Sequence, residues 1–378
     1  MKPGRVGSGA PLATGGRPYS ERRSPPGPST EGNATRVHPA ADPIARIPKV
    51  ELHCHVEGTV RPDTVVELAR KAGHPLPVDD PHVLYRYDSL DSFLTIFWLV
   101  QSVLVEPADW SRIAYESLVD AAAHGLRYRE MFFTPARHLG AGQDLASIVD
   151  GLTEGIDAAE TDTGVRCLLI ADIDRAYGPA AGLELVEGLA ALRRAGRAER
   201  VIAVGADSTE LGVDLRTFAP AFEAARRHGF RRTSHAGEAV GCGPDNIAIA
   251  LDVLGVERID HGVALVEDPE LLRRVAAEGI PLTVCPWSNV VIANRYGDLR
   301  DHPLPALRAA GVLVTVNTDD PAMMEWDLGR EYRAVGEAFG WSTDELAELA
   351  VEGIASTFLD AVDQAALTRD FRASLAGG

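Results

Sequence analysis

Lysine is nearly absent from this chain of 378 residues, which contains only Lys2, Lys49 and Lys71. The absence excludes a Schiff-base lysine, or a carboxylated lysine that bridges two metal ions, from the whole chain beyond Lys71. A disulfide framework or a structural zinc cluster is excluded as well, because the four cysteines lie far apart and none forms a Cys-x-x-Cys pair. We therefore expect free thiols and a cytoplasmic location.

Further absences narrow the class of protein. The formal net charge of −18 argues against a nucleic-acid partner, whose phosphates are bound by clustered Lys and Arg. No apolar run approaches the roughly 18 residues that a membrane span needs. The phosphate-binding pattern G-x-G-x-x-G follows no strand-like run, and neither a G-x-S-x-G nucleophile elbow nor a G-x-x-x-x-G-K loop is found. What remains is an acidic globular chain, 46% hydrophobic, with ample material for a large core.

The N-terminal 44 residues differ in composition from the rest of the chain. They are rich in Gly, Pro, Ser and Arg, show almost no apolar periodicity and lack the central apolar stretch of a secretory signal. We expect residues 1–44 to be a disordered tail and residues 45–378 to form one domain.

From residue 47 onward, short β-rich runs alternate with helical patterns, which predicts β/α units around a parallel sheet. The predicted strands are Lys49–Val56, Leu126–Phe133, Val165–Ile173, Val201–Ala206, Arg231–His235, Arg258–Gly262, Pro281–Cys285 and Val312–Asn317. The predicted helices between them are Pro62–Ala72, Leu145–Thr161, Gly182–Ala195, Leu215–His228, Pro244–Leu254, Pro269–Glu278 and Pro303–Ala310. This alternation predicts an α/β fold, a (β/α)8 TIM barrel, with a doubly wound open sheet as the alternative.

Two stretches fall outside the regular alternation. Residues 75–123 are too many for a simple crossover and predict extra helices over the barrel mouth, in which an apolar stripe packs Phe93, Phe97 and Trp98. A capping box at Ser342-Thr343-Asp344-Glu345 predicts a closing helix to about residue 358.

Candidate metal ligands lie where the predicted strands end. His53 and His55 are two residues apart, so both point to one face of the first strand. His235 ends the fifth strand and Asp319 follows the eighth. Active sites of TIM barrels lie at the carboxyl ends of the strands, so these four side chains converge on one rim. Three imidazoles and a carboxylate suit zinc or a similar divalent ion, and with no lysine to bridge a second ion we predict one metal.

The same rim carries candidate catalytic groups. Glu238 lies three residues past His235, which suits a general acid or base whose pKa is raised by an enclosed site. His261 ends the sixth strand, and Asp320 directly follows Asp319. Two adjacent carboxylates repel each other without a cation, which strengthens the prediction of a metal. His261 and Asp320 would flank a metal-bound water, whose pKa the ion lowers to roughly 7.

These motifs resemble those of the adenosine deaminase family of the amidohydrolase superfamily, from about residue 48 to about residue 358. The segments that carry the resemblance are Glu51–Gly58, Ser234–Glu238, Arg258–Gly262, Cys285–Asn289 and Thr315–Pro321. The resemblance implies a single Zn²⁺ per subunit, held by His53, His55, His235 and Asp319.

The resemblance also implies roles for the other rim residues. The residue matching Glu238 protonates the purine ring nitrogen N1 while hydroxide attacks C6. The residues matching His261 and Asp320 hold the hydroxide, and Asp320 also reaches N7. Ammonia then leaves and a 6-oxopurine results, so the roles drawn from the residues and those drawn from the family agree.

Departures from the family pattern concern the substrate. Glu57 replaces an Asp that usually binds ribose, Asp260 replaces a Gly, and Gly205-Ala206-Asp207-Ser208-Thr209-Glu210 replaces an Asp-Leu-Ala-Gly-Asp-Glu-like stretch. The segments Ile259–Gly262, Asp207–Gly212 and Glu130–Pro135 look more like the adenine deaminase branch, whereas Ser89–Leu94 followed by Pro107 fits the adenosine type no worse. We predict substrate contacts from Glu57, Ser208 and Asp320, with a carboxylate that orients a ligand histidine as the alternative role of Glu57.

The function expected from the sequence is zinc-dependent deamination of a 6-aminopurine, adenosine or a close relative, in purine salvage. Adenine and aminodeoxyfutalosine, a menaquinone precursor, are the alternative substrates. A metal-dependent hydrolase of a cyclic amide is disfavoured because Glu238 and His261 are intact and no bridging lysine exists. A purine-binding regulatory barrel is the alternative that is not an enzyme, and it is disfavoured because every polar group that the mechanism needs is present.

Overall fold

A computed structural model describes residues 42–78, 80, 83–86 and 90–377 of the chain. Eight parallel strands follow one another in sequence order around a single sheet. They are β1 (Lys49–Glu51), β2 (Leu126–Phe133), β3 (Arg166–Asp174), β4 (Val201–Asp207), β5 (Arg231–Ala236), β6 (Arg258–His261), β7 (Leu282–Val284) and β8 (Val314–Val316). The predicted (β/α)8 TIM barrel is confirmed.

Helices surround the sheet and account for most of the chain between the strands. In the described residues they are α1 (Pro43–Arg46), α2 (Pro62–Ala72), α3 (Leu90–Val103), α4 (Pro107–Ala122), α5 (Ala136–Gly140), α6 (Leu145–Thr163), α7 (Gly178–Arg194), α8 (Ala219–Arg227), α9 (Pro244–Ile249), α10 (Pro269–Glu278), α11 (Pro286–Val291), α12 (Leu304–Ala309), α13 (Leu328–Phe339), α14 (Thr343–Glu352) and α15 (Ala361–Ala376). Prolines in the first turn begin several of them, where a missing N–H is tolerated.

The first strand is shorter than predicted and ends before the His-x-His pair. The amide of Leu52 donates to the side-chain oxygen of Asn317 over 2.8 Å, so a side chain replaces a backbone partner and the regular ladder stops at Glu51. Beyond this point the segments that follow β1 and β8 pair through two backbone hydrogen bonds. The backbone N of His55 donates to the carbonyl of Asp319 over 2.9 Å, and the backbone N of Asp319 donates to the carbonyl of His53 over 3.1 Å. The barrel therefore closes between the segments that follow β1 and β8.

One buried ion pair lies inside the barrel, and a second lies between the sheet and α4. Arg258 donates to Glu130 across the barrel over 2.5 Å, and Arg129 is paired with Glu51. Glu51 also accepts from the backbone N and the hydroxyl of Thr318. These charged groups are almost fully buried, and each is partnered by an opposite charge and further hydrogen bonds, as burial requires.

The insertion between β1 and β2 contains the predicted extra helices. Helix α3 contacts the turn Val56–Thr59 at the carboxyl end of β1, whereas α4 lies along α6 in the outer layer. The predicted aromatic stripe is wrong for one member. Phe93 is buried and stacks on Phe97, but Trp98 is 45% exposed and lies under the guanidinium of Arg137. Residues five apart on a helix do not share a face, which explains the difference.

The chain termini also differ in detail from the prediction. Ser342 and Glu345 form the predicted capping box, but α14 ends at Glu352 and a short 3-10 turn, Gly353–Ser356, follows it. The final helix α15 was not predicted. At the other end, Asp42 caps α1 and Ile44 packs into the core, so residues 42–44 of the predicted tail are folded. The remainder of the predicted tail lies outside the described residues.

Within the part of the chain that the structure describes, we find no helix long and apolar enough to cross a membrane.

Glycines allow α4 and α6 to pack closely. A Cβ atom at Gly155 in α6 would overlap the backbone carbonyl of Ser111 in α4, which cannot move aside as a flexible side chain can. We therefore expect Gly155→Ala to lower the free energy of unfolding by about 1–3 kcal/mol, although alanine favours helix. The matched control is Gly188→Ala in α7, where the nearest atom is the end of the Leu145 side chain. Equal stability of the two variants in urea denaturation would contradict the packing argument.

Candidate active site

The structure brings the four predicted metal ligands together at the carboxyl end of the barrel. Their ligand atoms all lie within 4.8 Å of one another: His53, His55, His235 and Asp319. Oδ1 of Asp319 is 3.3 Å from Nε2 of His53 and 3.4 Å from Nε2 of His55, and the Nε2 atoms of His55 and His235 are 3.2 Å apart. All four residues are buried.

Hydrogen bonds behind the ligands set the tautomers of two histidines. Thr283 donates its hydroxyl proton to Asp260 over 2.7 Å. Because that proton is engaged, the hydroxyl oxygen of Thr283 accepts from Nδ1–H of His53 over 3.1 Å. His235 donates from Nδ1 to the carbonyl of Ala206 over 3.2 Å. Both rings therefore hold their proton on Nδ1 and direct the Nε2 lone pair into the cluster. That is the tautomer that a metal ligand requires.

The cluster fits a divalent cation on the chemistry of its donors. Nitrogen lone pairs and a carboxylate oxygen face one point, and Nε2 of His53 is buried with no hydrogen-bond partner. Burial lowers the pKa of His55 to about 4, and burial together with the neighbouring histidines lowers the pKa of His235 well below its usual range. Neutral imidazoles bind metals, so the residues present suit zinc or a related ion.

The adjacent carboxyl groups Asp319 and Asp320 have opposite pKa shifts. Burial alone would raise the pKa of Asp319, but its proximity to the rings of His53, His261 and His55 holds the pKa below its usual range. Burial and the nearby charge of Asp319 raise the pKa of Asp320 well above its usual range. Oδ1 of Asp320 is buried without a partner. The two neighbouring carboxyl groups therefore differ in how readily they ionise, with Asp319 the stronger acid.

Glu238 lies beside the cluster on the turn that follows β5. Its Oε1 is 3.5 Å from Nε2 of His261, and burial raises its pKa well above the usual range, with the charges of Asp319 and Glu210 acting in the same direction. A carboxyl group that stays protonated near neutral pH can act as a general acid. This position agrees with the role predicted for Glu238, although the role itself stays a prediction.

Two residues that sequence reasoning missed hold the Glu238 turn, one by its backbone N–H groups and the other by its carbonyls. The carboxylate of Glu210 accepts from the backbone N of Gly237 over 2.8 Å and of Glu238 over 2.9 Å. Arg295 donates to the carbonyls of Ala239 over 2.7 Å and of Cys242 over 3.1 Å. Glu210 ends the stretch Gly205–Glu210, which departs from the family pattern, but nothing in the sequence indicated which backbone groups Glu210 would contact.

Left-handed backbone marks three residues of the rim. Ser208, His261 and Asp319 have φ values of 69°, 60° and 63°, which residues with a side chain seldom adopt. Such strain persists where surrounding contacts over-determine the conformation, and it is often concentrated at functional sites.

The predicted substrate contacts fall into two groups. Glu57 is fully buried, and its Oε1 accepts from the backbone N of Thr134 over 2.9 Å while Oε2 has no partner. Burial raises the pKa of Glu57 to about 7. The hydroxyl of Thr134 donates to Asp207 over 2.5 Å, so Thr134 joins two acidic groups. Ser208, in contrast, is exposed, and the structure does not bring its side chain into the buried group.

Asp172 is a further acidic residue that the sequence analysis did not select. It is fully buried on β3, and its Oδ2 is 3.8 Å from Nδ1 of His55. Burial, followed by the charge of Asp207, raises the pKa of Asp172 well above its usual range. A Cβ atom at position 205 would overlap the Asp172 carboxyl, so Gly205 leaves the space that Asp172 occupies.

A buried three-histidine, one-carboxylate cluster at the mouth of a (β/α)8 barrel, with a glutamic acid beside it, defines a metal-dependent hydrolase. A family model described as adenosine deaminase matches residues 48–373. The chain belongs to the adenosine deaminase family.

Relatives and solved structures agree with this assignment. An adenine deaminase of Streptomyces coelicolor is 39% identical over 323 residues, which cover 84% of this chain and 92% of that protein. The crystal structure of adenine deaminase from Arthrobacter aurescens superposes with a TM-score of 0.81 at 34% identity, covering 87% of this chain and 99% of that one. A zinc-bound amidohydrolase from Burkholderia ambifaria gives a TM-score of 0.81 at 31% identity, covering 93% and 98%.

The chain is a hydrolytic deaminase of a 6-aminopurine, as these relatives and the family model support. Its cofactor is a metal ion, and the four-residue cluster offers one ligand atom from each residue within 4.8 Å of the others.

We expect His53→Ala to abolish stoichiometric metal binding, because it removes one of the four predicted ligand atoms and leaves an incomplete coordination site. Metal content of the purified protein, measured by mass spectrometry of the dissolved metal, gives the result directly. His74→Ala, at an exposed histidine, is the control and keeps one ion per subunit. Full metal occupancy in His53→Ala would refute the ligand assignment.

Proposed function

We propose that this protein hydrolyses adenine to hypoxanthine and ammonia, with one zinc ion as cofactor, in purine salvage in the cytoplasm. The observation that carries the proposal is the complete set of ligand and proton-transfer groups at one barrel end, in a chain whose relatives include adenine deaminases at 34–39% identity. The four cysteines are unpaired, which fits a reducing compartment.

The ligand and catalytic assignments are part of this proposal. His53, His55, His235 and Asp319 would hold the zinc ion. When bound, such an ion lowers the pKa of a coordinated water to about 7 and so supplies a nucleophile at neutral pH.

Proton transfer is assigned to residues of the chain itself. Glu238 donates a proton to N1 of the purine, which draws electrons from C6 and prepares it for addition of an oxygen. His261 and Asp320 border the same space and orient the attacking oxygen, since Nε2 of His261 and Oδ1 of Asp320 are buried and have no partner within the protein. The adding water returns one proton to the ionised Glu238 and its other proton passes to the amino group, so that ammonia leaves from C6 and the ring carbonyl of the product forms.

The acidic lining beside the cluster favours a free base over a nucleoside. Glu57 presents a carboxyl oxygen with no partner, held in place through Thr134, and Asp207 presents another. Buried carboxyl groups whose pKa is raised to about 7 can both donate to and accept from purine ring nitrogens. At N9 a free base offers a ring N–H or a lone pair, whereas a nucleoside carries a ribose there. Because a carboxyl group can bond the former directly, we assign Glu57 to recognition of the free base.

Substrate preference decides between the candidate purines. Offered adenine, adenosine and aminodeoxyfutalosine side by side, the zinc-loaded protein should release ammonia with the highest kcat/KM from adenine. A preference for either of the other two would keep the deaminase and overturn the assignment of adenine. No release from any of the three, with metal bound, would refute the proposed function.

Replacement of the general acid tests the mechanism separately. Glu238→Gln should keep its metal and its fold and lower kcat roughly 10²–10⁴-fold, the usual effect of losing a positioned proton donor. The control is Glu223→Gln on the exposed face of α8, where the carboxylate pairs with Arg226. Activity of Glu238→Gln equal to that of the control would remove Glu238 from the mechanism.

A further inference from the structure

A chain of hydrogen bonds runs from the backbone of α12 to the ring of His261. The backbone N of Leu304 donates to Nδ1 of His302 over 3.1 Å. Nε2 of His302 is 3.1 Å from Oδ1 of Asn289, and Nδ2 of Asn289 is 3.1 Å from Nδ1 of His261. The three side chains are buried, and Asn289 lies in the segment Cys285–Asn289, to which the sequence analysis gave no role beyond resemblance.

The direction of every bond in this chain follows from its first member. A backbone N–H can only donate, so Nδ1 of His302 is an acceptor and carries no proton. The proton of the His302 ring is therefore on Nε2, which donates to Asn289. Burial lowers the pKa of His302 to about 3, in agreement with a ring that stays neutral.

The amide orientation of Asn289 is fixed by the same logic. A flipped amide would direct its NH₂ group at the Nε2–H of His302, and two donors that face each other cannot form a hydrogen bond. With the oxygen towards His302, the NH₂ group donates to Nδ1 of His261. Nδ1 of His261 is therefore unprotonated, and the neutral ring carries its proton on Nε2.

The surroundings of Nε2 agree with a proton at that atom. Nε2 of His261 is 3.5 Å from Oε1 of Glu238 and 4.0 Å from Oδ2 of Asp319. An N–H group directed at two carboxyl groups is favourable, whereas a lone pair there would be repelled when either is ionised. This tautomer is the reverse of the one found for His53 and His235, whose protons are on Nδ1.

We propose that Asn289 and His302 are positioning residues that fix His261 in the tautomer with its proton on Nε2. His261 then enters the reaction as a hydrogen-bond donor to the oxygen that adds to C6. It does not accept a proton from that oxygen, because its lone pair is on Nδ1 and is bound by Asn289. The tautomer is independent of the substrate, and only its effect on turnover rests on the proposed function.

Nitrogen-15 NMR of histidine-labelled protein measures the tautomer directly, with and without zinc. Protonated and unprotonated ring nitrogens of a neutral imidazole give well separated signals, and the signals lost in His261→Gln assign the ring. We expect an unprotonated Nδ1 and a protonated Nε2. The opposite pattern in the wild-type protein would overturn the proposal, whether or not the protein deaminates adenine.

Asn289→Asp reverses the tautomer with a minimal change of shape. A carboxylate only accepts, so it satisfies the Nε2–H of His302 and draws the His261 proton to Nδ1. The NMR pattern should switch, and kcat should fall roughly 10²–10³-fold with KM little changed, as for loss of one donor to a developing oxyanion. Asn294→Asp, at an exposed asparagine outside the chain of bonds, is the control for the chemical change alone and should do neither.

A double-variant comparison separates positioning from a merely structural effect. If Asn289 acts through His261, the decrease in kcat that Asn289→Asp causes should disappear when His261 is already glutamine. A loss of the same size in both backgrounds would overturn the proposal. Should Asn289→Asp fail to fold or to bind metal, His302→Leu and His302→Gln replace it: the glutamine, which can accept and donate, should keep more of kcat than the leucine. Equal kcat in these two variants would likewise count against the proposal.

Discussion

The backbone pairing of Asp319 with His53 and His55 closes the barrel, and the metal site depends on it. Strands β1 and β8 contain only three residues each, and the Asn317 side chain interrupts the ladder between them. Closure is completed one step further along the chain, by the amides of His55 and Asp319. The residues that close the sheet are also predicted ligands, so the closed barrel holds His53, His55 and Asp319 next to one another.

Groups beneath the site hold this closure in place. Glu51 binds Thr318, the residue before Asp319, and is itself paired with Arg129 of β2. Asp260 acts through Thr283 on the ring of His53. Buried charges of this kind are costly to create and costlier to break, so they make the position of each ligand specific.

Site residues with the same side chain differ in chemistry because of what lies behind them. His53 and His235 face a hydroxyl and a carbonyl that accept, so each directs a lone pair into the site, whereas His261 faces an amide that donates. Asp319 and Asp320 are neighbours in the chain, yet contacts with histidines lower the pKa of Asp319, whereas burial and the charge of Asp319 raise the pKa of Asp320. The environment therefore assigns the roles that residue type leaves open.

The sequence alone was sufficient to predict the barrel, from the order of its strand-like runs. It also selected the seven residues that converge on the rim, from the ends of those runs and the His-x-His spacing. Period and spacing are local properties, so they can be read along the chain. The sequence did not determine that β1 would stop at Glu51, that Gly205 would make room for Asp172, or that Glu210 and Arg295 would hold the Glu238 turn. Nor did it determine the chain from His302 through Asn289 to His261. Each of these features joins residues that are distant in sequence, and only the closing of the barrel fixes which donor meets which acceptor.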